Sequence, residues 1–354
     1  MCDTSVDPPA PLGAPCFFDR HTTSARSVPE GEGHGCAPFQ DMDLSRVPHP
    51  WRPVVAKAIL HPLVQRLHRV RQCGVLFELR SVTRYDHSVG TANLALQAAC
   101  ILRARHPDLV SPRDVALVGL AGLLHDVGHG PLSHAFDRCT GVEPHERRGA
   151  RFVPTIVPTL EDSDIRFVQH CIDPLTHHLP AGYCAALAEI VSCGALGVDT
   201  DRMDYVRRDA VVSGLAPIEP YSVTKIIDNL WVDSSHRLRA SPEAAASVDA
   251  LLATRRRLYE QVYHEASAER LHAHATRVLD QISQCGAAAE LVAEPGGAPV
   301  PSLAAICSDP KLFEQLDDGC FDLAVHGRCE SARAASCGFL IAYAAYTVAR
   351  GDTL

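Results

Sequence analysis

From Val115 to Leu124 the chain uses only Val, Ala, Leu and Gly, and then runs directly into His125-Asp126-Val127-Gly128-His129-Gly130-Pro131. A stretch this apolar is buried on all sides, and it carries an ionisable pair into the interior with it. Burying such a pair costs several kcal/mol unless it is hydrogen-bonded, ion-paired or bound to a metal. The fold must therefore bring partners for His125 and Asp126 from elsewhere in the chain. Ser111-Pro112-Arg113-Asp114 precedes the stretch and reads as a helix start, with Ser as N-cap and Pro in the first turn. The helix is predicted to end near Gly128-His129-Gly130-Pro131, which puts His125 and His129, four residues apart, on one helix face.

The rest of the chain reads as mainly helical. Apolar spacing predicts helices over 54–71, 87–105, 145–157, 161–171, 183–193, 201–210, 221–229, 242–283 and 302–316. A small β-hairpin is expected where Leu230-Trp231-Val232 and His236-Arg237-Leu238-Arg239 flank Asp233-Ser234-Ser235. With almost no other strand signal, a parallel-sheet fold is disfavoured. Residues 1–40 are rich in Pro, Gly and Ser and read as a flexible N-terminal tail; residues 41–354 form the core, with a Gly/Pro/Ala-rich linker at 286–301.

Composition excludes several classes. In 354 residues, 46% are hydrophobic and 21% charged, which rules out wholesale disorder. Lys+Arg of 33 against Asp+Glu of 42 gives a formal charge of -9, so nucleic acid is not an expected partner. A local arginine pocket for a small anion remains compatible with that balance. The 14 cysteines include no CxxC pair; Cys100, Cys184, Cys193 and Cys337 sit in apolar stretches and read as reduced thiols of a cytoplasmic or nuclear protein. The segment Phe339–Ala349 is too short to span a membrane and reads as a packed helix. Residues 1–9 show neither a basic n-region nor an apolar h-region, so a secretory signal is not expected.

His87, three residues after Arg84, is a second histidine at the head of a predicted helix. Downstream, Val198-Asp199-Thr200-Asp201-Arg202-Met203-Asp204-Tyr205 supplies three carboxylates. Two imidazoles and two carboxylates make a mixed nitrogen and oxygen shell that suits Fe, Mn, Zn or Mg. A cation there lowers the pKa of coordinated water and orients it for attack. By residue type alone, Asp199, Asp201 and Asp204 are equal candidates.

Arg84-Tyr85-Asp86-His87-Ser88-Val89-Gly90, Ala121 to Asp137, Asp201-Arg202-Met203-Asp204-Tyr205-Val206-Arg207-Arg208-Asp209, Thr254-Arg255 and Val262-Tyr263-His264 together resemble the HD-domain deoxynucleoside triphosphate triphosphohydrolases. The resemblance covers roughly 45–325 and is strongest to the animal members that carry a SAM domain beside the HD core. It implies a helical HD fold and metal ligation by His87, His125, Asp126 and Asp201, with one or two divalent ions. It implies that His129, His134 and His145 line the phosphate site, with His145 protonating the departing 5′ oxygen and Asp137 orienting a neighbouring histidine. Arg84, Arg202 and Arg255 would grip the triphosphate, while Gln72, Tyr205, Asp209 and Tyr263 would hold the sugar and reject a 2′-hydroxyl. Arg202, Tyr205 and Asp209 fall on one helical face, so one helix can present all three.

The implied reaction is hydrolysis of a dNTP at the α-phosphorus to deoxynucleoside and intact triphosphate, which lowers dNTP pools. The chain departs from the family in places. No SAM domain or guanine-nucleotide activator motif is recognised ahead of Val54, and the activator-contacting Gln-Arg-Leu-Arg reads Gln65-Arg66-Leu67-His68. Cys73 replaces a Leu beside Gln72, and Ala266 stands where the family has a Lys. These departures imply a constitutively active enzyme, dimeric rather than assembled into tetramers by nucleotides. Two alternatives are carried: a phosphohydrolase for another nucleotide, such as a cyclic dinucleotide or nucleoside monophosphate, and a non-catalytic nucleotide- or partner-binding HD module.

Overall fold

The computed structural model describes residues 41–76, 82–192, 197–217, 219–284 and 303–319. The expectations for the tail 1–40, the linker 286–301, the 339–349 helix, Cys193 and Cys337 lie outside the described residues.

The described chain is helical, with one small sheet. In order it forms α1 (Arg52–Ile59), α2 (Pro62–Gln65), a 3₁₀ turn at Arg66–Arg69, α3 (Arg84–Arg105), α4 (Pro112–Leu124), α5 (His134–Asp137), α6 (His145–Ile156) and α7 (Asp162–Ile172). It continues with α8 (Ala185–Ala188), α9 (Thr200–Val212), α10 (Val223–Ile227), the hairpin β1 (Leu230–Val232) and β2 (Leu238–Ala240), and α11 (Ala245–Leu258). A π-helical turn (Tyr259–Tyr263), α12 (Ala266–Gln284), α13 (Leu303–Ser308) and α14 (Pro310–Phe313) follow. The hairpin is antiparallel and pairs Leu230 with Ala240, Trp231 with Arg239 and Val232 with Leu238.

α3 and α4 form the centre. Every residue of α4 from Val115 to Leu124 is buried, as its all-round apolarity demands. Both helices start on capping boxes. Ser111 Oγ accepts from Asp114 N while Ser111 N donates to the Asp114 carboxylate; Thr83 and Asp86 do the same for α3, which therefore begins at Arg84 rather than at His87.

Several predicted helices are interrupted. The 54–71 helix breaks at His61, because Pro62 has no N–H and restricts the residue before it; His61 Nδ1 caps the restart. The 302–316 helix splits at Asp309, which caps α14 ahead of Pro310. The 242–283 helix breaks into α11, the π turn and α12, and of 183–193 only the turn Ala185–Ala188 is helical among the described residues. α4 itself ends at Leu124, so His125 and Asp126 leave the helix in a tighter turn, with Val127 N bonded to Leu124 O and His129 N to Asp126 O.

Candidate active site

Two imidazoles and two carboxylates converge where α3, the end of α4 and α9 meet: His87, His125 and Asp126 form one compact group that could hold an ion, and Asp201 flanks it against the two histidines. His87 Nε2 lies 3.1 Å from His125 Nε2, 3.0 Å from Asp201 Oδ1 and 3.7 Å from Asp126 Oδ2. His125 Nε2 lies 3.4 Å from Asp126 Oδ1 and 3.6 Å from Asp201 Oδ1. Ligands at about 2.1 Å from one ion and at right angles to each other sit about 3 Å apart, so these separations suit a shared divalent cation.

The outer ring nitrogens support that fit. His87 Nδ1 is 2.8 Å from Asp204 Oδ2, and His125 Nδ1 is 2.8 Å from Gly122 O. Each acceptor holds the Nδ1 proton, which leaves two Nε2 lone pairs facing one space. A cation between them resolves the repulsion. Without metal a proton does so: burial opposes charge on His87, but Asp201 and Asp204 outweigh it and lift the ring to about 10. Asp126 is held well below the carboxylate range, because Arg84 and His125 outweigh its burial. Asp201 is lowered likewise by His125 and His87 against burial.

The three carboxylates of the Asp199–Asp204 segment take three different places. Asp201 faces the two Nε2 atoms, Asp204 backs His87, and Asp199 caps α9 by accepting from Arg202 N and pairs with the Arg202 side chain. Asp204 reaches His87 because α3 carries Gly90 there; a Cβ at Gly90 would lie 2.1 Å from Asp204 Oδ1.

A second cluster of potential ligands comprises His129, His134, Asp137 and His145. His145 Nδ1 is 2.7 Å from Asp137 Oδ2, and His134 Nδ1 is 3.7 Å from the same oxygen. The His129 ring stacks on His145 at 3.7 Å, inclined 20°. Burial, Arg84 and His145 all push His129 well below its ordinary value, so it is neutral. Asp137 is lowered by His134 and His145 in spite of its burial. His125 and His129 therefore do not share one helix face: the helix has ended, and they belong to different clusters.

Gln72, Arg84, Asp126, Asp201, Arg202, Tyr205, Asp209, Arg255 and Tyr263 line one cavity of about 480 Å³ together with this cluster, whereas His87, His125, Asp199 and Asp204 do not line it. That volume lies within the range of small-molecule sites, about 300–1,000 Å³. Buried Arg84 donates to Asp126 Oδ2 (2.7 Å) and Ser133 Oγ (3.0 Å). Arg255 Nε donates to Tyr205 OH at 2.6 Å, and its guanidinium lies 4.4 Å from the Tyr259 ring. α9 presents Arg202, Tyr205 and Asp209 to the cavity together. Tyr263, brought in by the π turn, donates to Asp209, whose carboxyl is raised by burial. Gln72 Oε1 is buried in the cavity wall with no partner among the described residues.

Sequence reasoning missed several contributors. Ser133 and Arg148 support Arg84 and Asp137; Tyr259, His264 and His272 line the cavity. Leu132 and Ser133 take left-handed φ values of 61° and 54°, strain of about 1–3 kcal/mol each that is typical of functional loops. Asp318 pins this loop by accepting from Leu132 N (2.8 Å) and Arg71 N (3.1 Å). The isolated positive-φ pair has no sequence signature, whereas Arg148, three residues after His145 on one helix, could have been noticed.

Residues 84–169 match the HD domain family. An HD domain-containing protein of Acanthamoeba polyphaga mimivirus is 25% identical over 58% of this chain and 50% of its own length. Deoxynucleoside triphosphate triphosphohydrolase SAMHD1 of Homo sapiens is 29% identical over 60% of this chain and 39% of its own length. The Dictyostelium discoideum homologue of that enzyme is 30% identical over 47% of this chain and 35% of its own length. The matched region thus spans half or less of these relatives. Among the described residues no helix is long and apolar enough to cross a membrane.

Proposed function

This chain carries an HD domain over residues 84–169, and from that premise we propose that it is a metal-dependent phosphohydrolase that converts deoxynucleoside triphosphates to deoxynucleoside and inorganic triphosphate. One observation carries the reading: the group of His87, His125, Asp126 and Asp201 adjoins a cavity whose lining includes Arg84, Arg202 and Arg255 as well as Gln72, Asp209 and Tyr263. The similarity to two deoxynucleoside triphosphate triphosphohydrolases adds support for the substrate class.

A divalent cation on those four side chains, Fe, Mn, Mg or Zn, would supply Lewis-acid activation at the phosphorus to be attacked. The protein's own groups do the rest. Arg84, Arg202 and Arg255 place fixed positive charge beside the phosphates without having to titrate. Asp137 Oδ2 accepts from His145 Nδ1, so in the doubly protonated ring Nε2–H, with Nε2 3.4 Å from Glu146 Oε1, would give its proton to the leaving 5′ oxygen and leave the neutral imidazole with Nδ1 still protonated. Neutral His129 is a donor or acceptor, not a charge, beside the phosphate path. Gln72, Asp209 and Tyr263 meet the sugar hydroxyl end, and Tyr263 occupies the space a 2′-hydroxyl would need. Catalysis on this reading is positioning and charge complementarity, with no covalent nucleophile.

The deciding experiment separates the products of each dNTP and rNTP by chromatography with Fe, Mn and Mg in turn. Inorganic triphosphate from dNTPs is the expected product; orthophosphate or pyrophosphate would instead indicate a phosphohydrolase of another specificity. His125→Ala is expected to abolish turnover, and retention of turnover would reject the centre.

The same reading includes activity without a nucleotide effector, in a dimer. Its support is local: the arginine of the family's Gln-Arg-Leu-Arg is His68 here, stacked on Tyr85 at 3.6 Å, and Arg66 is spent on buried carbonyls. A GTP-dependent tetramer in mass photometry would reject it.

A further inference from the structure

Arg148 lies on α6, three residues after His145, and is fully buried. Its guanidinium makes three separate contacts. NH2 donates to Asp137 Oδ1 at 2.6 Å, Nε donates to Gly128 O at 2.9 Å, and NH1 donates to Glu143 O. The Phe136 ring lies 5.1 Å from the guanidinium carbon and the Phe313 ring 5.9 Å. The other Asp137 oxygen, Oδ2, faces His145 Nδ1 at 2.7 Å. The backbone leaves no slack around this arrangement: a Cβ at Gly128 would lie 2.0 Å from His145 O.

We infer that Arg148 is a positioning residue for the reaction: by fixing one oxygen of Asp137, it turns the other onto His145 Nδ1 and so holds that imidazole in the tautomer whose Nε2 serves the cavity. Asp137 alone has too many claimants to be so directed. His134 Nδ1 and His129 Nδ1 lie 3.7 and 4.0 Å from Oδ2, and a carboxylate free to rotate would share itself among the three rings. The guanidinium fork removes that freedom because its geometry is rigid and two further N–H groups are anchored on the backbone carbonyls of Gly128 and Glu143. The Gly128 contact links the same arginine to the turn that carries Asp126 and His129, so the acid-base ring and the metal-side turn are held in one register. An arginine serving only as core filler would need a partner for its charge, but not one whose second oxygen bonds the histidine that donates to the leaving group.

The kinetic part of this inference rests on the proposed function; the tautomer part does not. The test uses the full chain with ¹⁵N-labelled histidine and the variants Arg148→Met, Arg148→Lys, Asp137→Asn and the Arg148→Met/Asp137→Asn double. In the wild type, His145 is expected to show one tautomer with Nδ1 protonated, and in Arg148→Met a mixture of both. With the preferred dNTP, Arg148→Met is expected to lose about 100-fold in kcat with KM within a few-fold, the size of a supporting-shell loss. Arg148→Lys, which covers the case in which the Met variant does not fold, is expected to regain part of that, since one ammonium reaches Asp137 but not both carbonyls as well. The double variant is expected to be no slower than Asp137→Asn, because the arginine acts through the carboxylate. An unchanged His145 tautomer in Arg148→Met and Arg148→Lys, or an arginine effect as large without Asp137 as with it, would overturn the inference. If the wild type hydrolyses no nucleotide, the functional reading fails and the tautomer comparison alone decides this one.

Discussion

His87 Nδ1 and Asp204 Oδ2 stand 2.8 Å apart with no solvent exposure on either side chain beyond 1%. The carboxylate faces the ring nitrogen on the far side from His125 and Asp201, and on the proposed reading it sets the tautomer of a metal ligand. Replacing Asp204 by Asn keeps the shape and weakens the acceptor. We expect divalent metal affinity to fall about 10–100-fold, measured by isothermal titration or by metal content after dialysis. Equal affinity in Asp204→Asn would mean that the pair is only structural.

Metal removal should expose a pH dependence opposite in sign to the usual carboxylate case. In metal-free protein His87 is raised to about 10 by Asp201 and Asp204 against its burial, and in the unfolded chain it titrates near its ordinary 6.5. The folded state therefore holds a proton that the unfolded state has lost between those values. That stabilisation is complete below about pH 6.5 and is lost as pH rises through 10. Melting temperatures of chelator-treated protein should fall across this window, while metal-loaded protein, whose cation takes the proton's place, should change less.

Tyr263 is held by two features that can be separated. Tyr263→Phe keeps the ring and loses the bond to Asp209, leaving a buried carboxyl with one fewer donor. We expect about a tenfold loss in kcat/KM for dNTPs with rejection of rNTPs retained. Tyr263→Ala opens the wall, and the dNTP/rNTP ratio of kcat/KM should shrink by tenfold or more. Matching specificity in the two variants would count against the ring as the discriminating element.

Arg66 offers a stability test at a side chain that does not itself line the cavity. Its guanidinium donates to the carbonyls of Leu316, Val127 (3.0 Å) and His129 (2.5 Å) and lies 4.5 Å from the Phe313 ring. Arg66→Met strands three buried acceptors, and a loss of about 3 kcal/mol or more is expected by urea unfolding. A change under 1 kcal/mol would mean that those carbonyls find other partners.

What could be read ahead of the structure was what depends on residue type and spacing. The apolar run before His125 announced a buried helix, Ser111 its start, and the i, i+3, i+7 pattern of Arg202, Tyr205 and Asp209 their common face. Breaks were harder. The turn at Leu124 and the π turn at Tyr259–Tyr263 carry no Pro or Gly to mark them, since they are imposed by how the histidines and Tyr263 pack. Among Asp199, Asp201 and Asp204 only three-dimensional direction distinguishes the carboxylate that faces both histidines, the one that backs His87 and the helix cap. The i, i+3 spacing of His145 and Arg148 marks a shared helix side, but the contact of Arg148 with Asp137 depends on how α5 and α6 fold together.

Asp318 bonds the backbone at Leu132 and Arg71, partners 186 and 247 positions earlier in the chain. During synthesis both cavity walls emerge from the ribosome long before the carboxylate that ties them together. A nascent chain can assemble α3, α4 and the histidine-carboxylate group and still lack this tie, so competence arrives only once Asp318 has emerged. Proteolytic cuts after α12 should for the same reason silence the protein while sparing most of its helices.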